Sequence, residues 1–197
     1  MSCRKMTQTD LDAVVAIHQR AFKGFFLTRM GPRFIRAYYQ AVLDFEASIA
    51  LLDCGTAPNE ILGFAVGFRD PQGFYALFSG RRKRLVGAIL VAVLRDPALV
   101  MEIYRNTRRI QTQAQTAVDS VELSSIAVAV PNRGVGSALL DEFVSAARQG
   151  GAQHLALTTD SVGNDDVRKF YEARGFTLKG FEDRGDRRLL HYQRALG

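Results

Sequence analysis

Residues 131–140 read PNRGVGSALL. Gly134 and Gly136 stand between an apolar run, SIAVAV, and the apolar-periodic stretch GSALLDEFVSAARQ. At a strand-to-helix turn of this kind, successive backbone N–H groups point outward together and favour phosphate oxygens. Glycine permits close backbone approach and unusual φ angles, and Arg133 adds a positive charge. The chemistry indicated is phosphate binding. Two familiar phosphate loops do not match. A P-loop needs Gly-Lys-Ser/Thr, and Gly136-Ser137-Ala138 lacks the lysine. A dinucleotide fingerprint needs a third glycine where Leu139 stands. A plain glycine-containing turn is the alternative for this loop taken alone. His18, His154 and His191 are scattered, and Cys3 and Cys54 lack metal-site spacing. No metal is expected, and the histidines are read as structural.

The elements around the loop set its position. LDAVVAIHQRAF, with Thr9 as N-cap and Asp10 in the first turn, reads as a helix to Phe22. KGFFLTRMG reads as a loop, and Pro32 opens a second helix, PRFIRAYYQAVLDF. SIALLD (48–53) and ILGFAVGF (61–68) form a hairpin about a Gly/Pro/Asn turn. Residues 70–117 read as two or three helices broken at Gly80 and Asp96-Pro97. VELSSIAVAV (121–130) is strand-like, the helix after the loop ends at Gly150-Gly151, and HLALTTD (154–160) is a strand. NDDVRKFYEAR (164–174) is a helix with Gly175 past its end, and FTLKGF and RRLLHYQRA are a last pair of strands. The order is β-α-α-β-β-(helices)-β-α-β-α-β-β. The β-α-β unit over 121–160 implies two parallel strands joined by a crossover helix, and hairpins on either side make the sheet mixed. The expected fold class is therefore α/β (α+β), one domain over 1–197, with a helical insertion at 70–117 before the central strand.

One strand beyond the loop lies LTTDSVGNDDVRKFYEARGF (157–176). With it the chain resembles the GCN5-related N-acetyltransferases (GNAT family). The matching pieces are Ser125-Ile126-Ala127-Val128, Gly134-Val135-Gly136-Ser137, Asn164 with Val167, Phe170 and Tyr171, and Gly175-Phe176. Order, spacing and element type agree across 120–178, and the flanking elements fit. The resemblance implies a central mixed sheet with splayed parallel strands, and acetyl-CoA as cosubstrate. By it, the backbone of Gly134 to Ala138, with Arg133, would hold the coenzyme pyrophosphate. The edge of Ile126, Ala127 and Val128 would pair with the pantetheine arm, Asn164 would hydrogen-bond that arm, and Phe170 would line the same site. Tyr171 matches the family's general acid beside the sulfur, and a packing tyrosine is its alternative. Asn164 also suits helix N-capping. Glu122 is the candidate base for the incoming ammonium, directly or through a water, with Asp119 and Asp160 behind it; an ordinary exposed strand carboxylate is its alternative. Backbone N–H donors near Val128 are expected to face the oxyanion. The chain departs from the family at Pro131, where Arg or Gln is usual, and the loop is about two residues shorter. This departure motivates the alternative of a non-catalytic acyl-CoA-binding or regulatory module.

The acceptor is expected to be a small-molecule primary amine. Phe25, Phe26 and Tyr75, with Tyr38, are candidates for its pocket, and core packing is the alternative for each. The wording of the motifs, with GFFLTRMGPRF, resembles bacterial acetyltransferases of polysaccharide and nucleotide-sugar pathways, which implies an amino sugar or nucleotide-sugar. The net charge is +6, and eight basic against two acidic residues between Arg81 and Arg109 account for all of it. A solvated face, an anionic substrate and an anionic membrane contact through 81–109 are the readings open for this segment. The apolar run LVGAILVAVL is read as a buried helix covering the sheet. Aromatic–basic interleaving there is thin, so no nucleic acid is expected. No stretch reaches the length of a membrane span and MSCRKMTQTD has no apolar core, so a cytoplasmic location is expected.

Overall fold

A computed structural model describes residues 2–57, 60–81, 85–99, 119–184 and 187–197. Seven strands form one mixed sheet: β1 (Ser2–Lys5), β2 (Ser48–Cys54), β3 (Ile61–Phe68), β4 (Ser120–Val128), β5 (His154–Asp160), β6 (Thr177–Arg184) and β7 (Arg187–Ala195). Their order is β1-β2-β3-β4-β5-β7-β6. Every neighbouring pair is antiparallel except β4 and β5.

Side-chain alternation along the strands builds a core on each face. Phe64, Val66 and Phe68 of β3 point one way, with α1 (Leu11–Ala21), α3 (Pro32–Leu43), α4 (Pro71–Gly80) and α5 (Val86–Arg95) over them. Ala65, Val121, Leu123, Leu155 and Leu157 point the other way, under α6 (Val135–Gln149) and the Tyr171 end of α7 (Asp165–Glu172). A short α2 (Phe26–Arg29) completes the set. Cys3 packs on the α6 face and Cys54 on the opposite face, so neighbouring strands hold the two thiols apart.

Four local expectations change. The N-cap of the first turn is Thr7, not Thr9. Asp10 accepts from the Thr7 N–H at 2.8 Å while ion-pairing with Arg4 at 2.7 Å, so a 3-10 turn over Gln8–Asp10 precedes α1. The arginine comes from β1, a partner that local spacing does not show. KGFFLTRMG is not all loop, since Phe26–Arg29 is helical and Phe26 packs edge-on against Phe34 at 6.3 Å. The apolar helix α5 is covered on one side only. Ala92 is buried and Ile89 and Val93 pack on the core, whereas Val86, Leu90, Val91 and Leu94 are exposed. The last helix is shorter than 164–174, because the chain leaves α7 at Ala173 and Gly175 takes φ 80°. The helix expected beyond Leu99 within 70–117 lies outside the described residues.

Candidate active site

The parallel pair makes the site by failing to stay paired. β4 and β5 are in register over Ser120–Leu123 and His154–Leu157 only. Beyond that, Thr158, Thr159 and Asp160 pair with β7, while Ser125 to Val128 pair with β3. The register shift opposite Val66 and Gly67 leaves Ser124 as the extra residue of a bulge, which turns β4 away from β5. A cleft of about 2280 Å³ fills the wedge, larger than the ~300–1,000 Å³ of a single small-ligand pocket. The Ala129 N–H bonds Leu62 O at 2.7 Å, toward β3. Alternation then sends the N–H and C=O groups of Ile126 and Val128 to the open side. Ala127, which faces β3 with its backbone, lines the cleft without offering it that edge.

At one end of the cleft lies the 131–137 loop. Asn132 (φ 63°) and Gly134 (φ 77°) take left-handed conformations and α6 starts at Val135. No side chain caps this helix among the described residues, and its first turn holds no acidic residue. The Ala138 N–H is bound to Gly134 O at 3.0 Å, and Ala138 does not line the cleft. Within the helix, the donors left are therefore the N–H groups of Val135, Gly136 and Ser137, whereas the sequence suggested the whole run from Gly134 to Ala138. Three uncapped donors at a helix N-terminus and an unpaired strand edge fit the diphosphate and the amide-rich arm of coenzyme A. Arg133 lies exposed on the rim.

Tyr171 and Glu122 line the same cleft. Tyr171 is buried, edge-on to Phe170 at 5.3 Å and to Phe176 at 5.4 Å. Its hydroxyl has no hydrogen-bond partner among the described residues, and burial holds it protonated far above the ordinary phenol range. Glu122, half-buried two residues before the bulge, accepts from the Tyr75 hydroxyl at 2.9 Å. Burial, then the Glu122 charge, raises the Tyr75 phenol. Tyr38 meets Ser124 at 3.0 Å, so two tyrosines from the overlying helices hold the bulged segment. Asn164 stands at the N-cap position of α7 but does not cap it; its amide donates to Thr159 Oγ1 at 3.1 Å. Phe170 lies beside Gly136, where an added Cβ would be 3.8 Å from its Cζ.

Phe25, Phe26 and Tyr75 also line the cleft, half-buried. Arg187 lies over the Phe25 ring at 4.7 Å and ion-pairs with Asp160 at 2.6 Å, and Arg29 pairs with Asp96 at 2.6 Å. Asp119 does not join the cleft lining; its carbonyl receives the N–H groups of Gln153 and His154. His18 is buried with Nδ1 at 2.7 Å from the Tyr39 hydroxyl. Sequence reasoning missed Arg174, which donates to Phe170 O at 3.0 Å and to Ser137 Oγ. Its spacing of four from Phe170 was visible, but the contact with a residue 37 positions away was not.

The acetyltransferase (GNAT) family profile matches residues 11–176. No curated protein sequence matches the chain. Solved structures share the fold. A GNAT-family protein from Desulfovibrio desulfuricans superposes with a TM-score of 0.66 at 17% identity, over 100% of this chain and 99% of that one. An N-acetyltransferase from Staphylococcus aureus gives 0.64 at 16% identity, over 100% and 98%. The ribosomal-protein-S18-alanine N-acetyltransferase from Escherichia coli gives 0.61 at 16%, over 99% and 93%.

Proposed function

The chain belongs to the GNAT acetyltransferase family, and from that premise we propose that it moves an acetyl group from acetyl-CoA to a primary amine by direct attack in a ternary complex. The observation that carries this reading is that one cleft holds three uncapped N–H donors, an unpaired strand edge and a buried, protonated tyrosine. The coenzyme supplies the activated acetyl group. The donors at Val135, Gly136 and Ser137 bind its diphosphate, Ile126 and Val128 align its arm, and Asn164 stands where the arm passes. Glu122 takes the proton of the ammonium, directly or through a water. Backbone N–H donors at the open end of β4 stabilise the developing oxyanion. The Tyr171 hydroxyl, free of other partners among the described residues, gives its proton to the departing thiolate.

For the acceptor we propose an amino sugar. Aromatic faces at Phe25, Phe26 and Tyr75 suit the C–H faces of a sugar ring, and Glu122 suits its ammonium. An amino sugar without phosphates fits better than a nucleotide-sugar, because Arg29 and Arg187 are already neutralised by Asp96 and Asp160.

Thiol release from acetyl-CoA across amino sugars, nucleotide-linked amino sugars, polyamines and peptide N-termini tests both readings. Turnover with an amine is expected, with Tyr171→Phe lowering kcat roughly 10²-fold at little change in acetyl-CoA affinity. Acetyl-CoA binding with no turnover on any amine sinks the catalytic reading in favour of a binding module. Turnover confined to peptides or polyamines sinks the sugar.

A further inference from the structure

Pro131 leaves the cradle without the cation that the sequence pattern called for, and the exposed Arg133 has no hydrogen bond or ion pair among the described residues. A second guanidinium is in place from another element. Arg174 stands just past α7, half-buried, with its Cζ 3.8 Å above the Phe170 ring. One terminal nitrogen is fixed by Phe170 O and the other reaches Ser137 Oγ on the first turn of α6. No carboxylate pairs with it among the described residues. Two of its five N–H donors are used, which leaves three.

This placement is unfavourable for the protein alone. The N-terminal end of a helix is already positive, and a cation there is repelled unless an anion joins them. The first turn of α6 holds no acidic residue to serve as that anion, and Arg174 lines the cleft. We propose that Arg174 binds the diphosphate of coenzyme A, replacing from just past α7 the cation that the loop lacks at position 131. The stack on Phe170 and the bond to its carbonyl hold the planar fork in advance, so little side-chain freedom is lost when phosphate oxygens arrive. Phe170 thus acts from below the guanidinium, by supporting it.

The proposal rests on the acetyl-CoA reading, and calorimetry separates the two. If the wild-type protein does not bind coenzyme A, that reading fails and takes this one with it. Given wild-type binding, Arg174→Gln is expected to weaken coenzyme A and 3′-dephospho-coenzyme A alike, about tenfold, and to make binding less sensitive to salt. Its kcat/KM with acetyl-pantetheine, which has no diphosphate, is expected to match wild type. Arg174→Lys is expected to recover part of the loss. Unchanged affinity for coenzyme A overturns the proposal. So does an equal loss with acetyl-pantetheine, which marks a packing role, or a loss confined to coenzyme A, which marks the 3′-phosphate. Should the glutamine variant not fold, Arg174→Met keeps an apolar stem over Phe170 and is put through the same comparison.

Discussion

Gly134 and Gly136, with one residue between them in the proposed cradle, are expected to respond to alanine with opposite signs. Gly136 is the second residue of α6 and its φ is not positive. A Cβ built there meets Val128 Cγ1 at 3.7 Å and Phe170 Cζ at 3.8 Å, ordinary contacts. Gly136→Ala therefore costs no strain and gains the helix preference of alanine, about 0.5–1 kcal/mol, less near the end of a helix. Gly134 sits at φ 77°. Alanine there costs about 1–2 kcal/mol of left-handed strain, offset by about 0.4–1 kcal/mol of lost unfolded-state freedom. For a chain of this size, ~1 kcal/mol moves Tm by about 2–4 °C. Gly136→Ala is expected to raise Tm by about 1–3 °C and Gly134→Ala to lower it by about as much. Coenzyme affinity is expected to fall in both. The Gly136→Ala methyl lies among cleft-lining atoms, and a tenfold loss corresponds to only about 1.4 kcal/mol. Thermal unfolding and calorimetry with coenzyme A read both quantities on the same samples. A lower Tm for Gly136→Ala refutes the helix start described here. A higher Tm with wild-type affinity refutes the proposed position of the phosphate cradle.

Two further outcomes follow from buried groups. Burial pushes the His18 imidazole down to about 4 from 6.5. Between those values the unfolded chain takes a proton that the folded chain refuses, so stability is full above pH 6.5 and falls as the pH drops toward 4. The loss is about 2–3 kcal/mol by pH 4.5. His18→Gln should flatten this slope in urea unfolding at pH 7 and 4.5, and an unchanged slope counts against it. Asp10 does not blur the window, because Arg4 holds its carboxyl at about 2 and its contribution is lost only below its ordinary 3.8. Gly67→Ala is expected to destabilise by roughly 3 kcal/mol or more. Its Cβ would fall 2.0 Å from Glu122 O and 2.5 Å from Phe143 Cζ, pushing the strand that presents Glu122. Wild-type Tm and activity in this variant would show that the close β3–β4 approach is not real.

Most elements were legible locally, because hydrophobic period and glycine or proline boundaries are local signals. Ile61–Phe68 and His154–Asp160 lie where alternation and turn residues put them. The cap expected at Thr9 and the burial expected of α5 fail for one reason. Each depends on how another element packs: on Arg4 of β1, which holds Asp10 for the cap at Thr7, and on the limited area of the core for the second face of α5. Asn164 shows the same thing inside the site. Its type and position suit a cap, yet its amide turns to Thr159 on the neighbouring strand.

By itself the sequence determined the family, since the Gly134–Ser137 loop and the Asn164–Tyr171 helix are contiguous motifs whose order and spacing survive without coordinates. It also located the parallel pair, because a strand, a helix and a strand in succession leave few other arrangements. Tertiary structure alone decided how that pair becomes a site. The splay needs β4 to stay with β3 and β5 to stay with β7 past the point where the two parallel strands part. It alone joined Tyr75 to Glu122 across 47 residues and Arg174 to Ser137 across 37. Hydrogen bonds and charge pairs act over a few ångströms of space, and that proximity is set by the packing of whole elements, which no local spacing records.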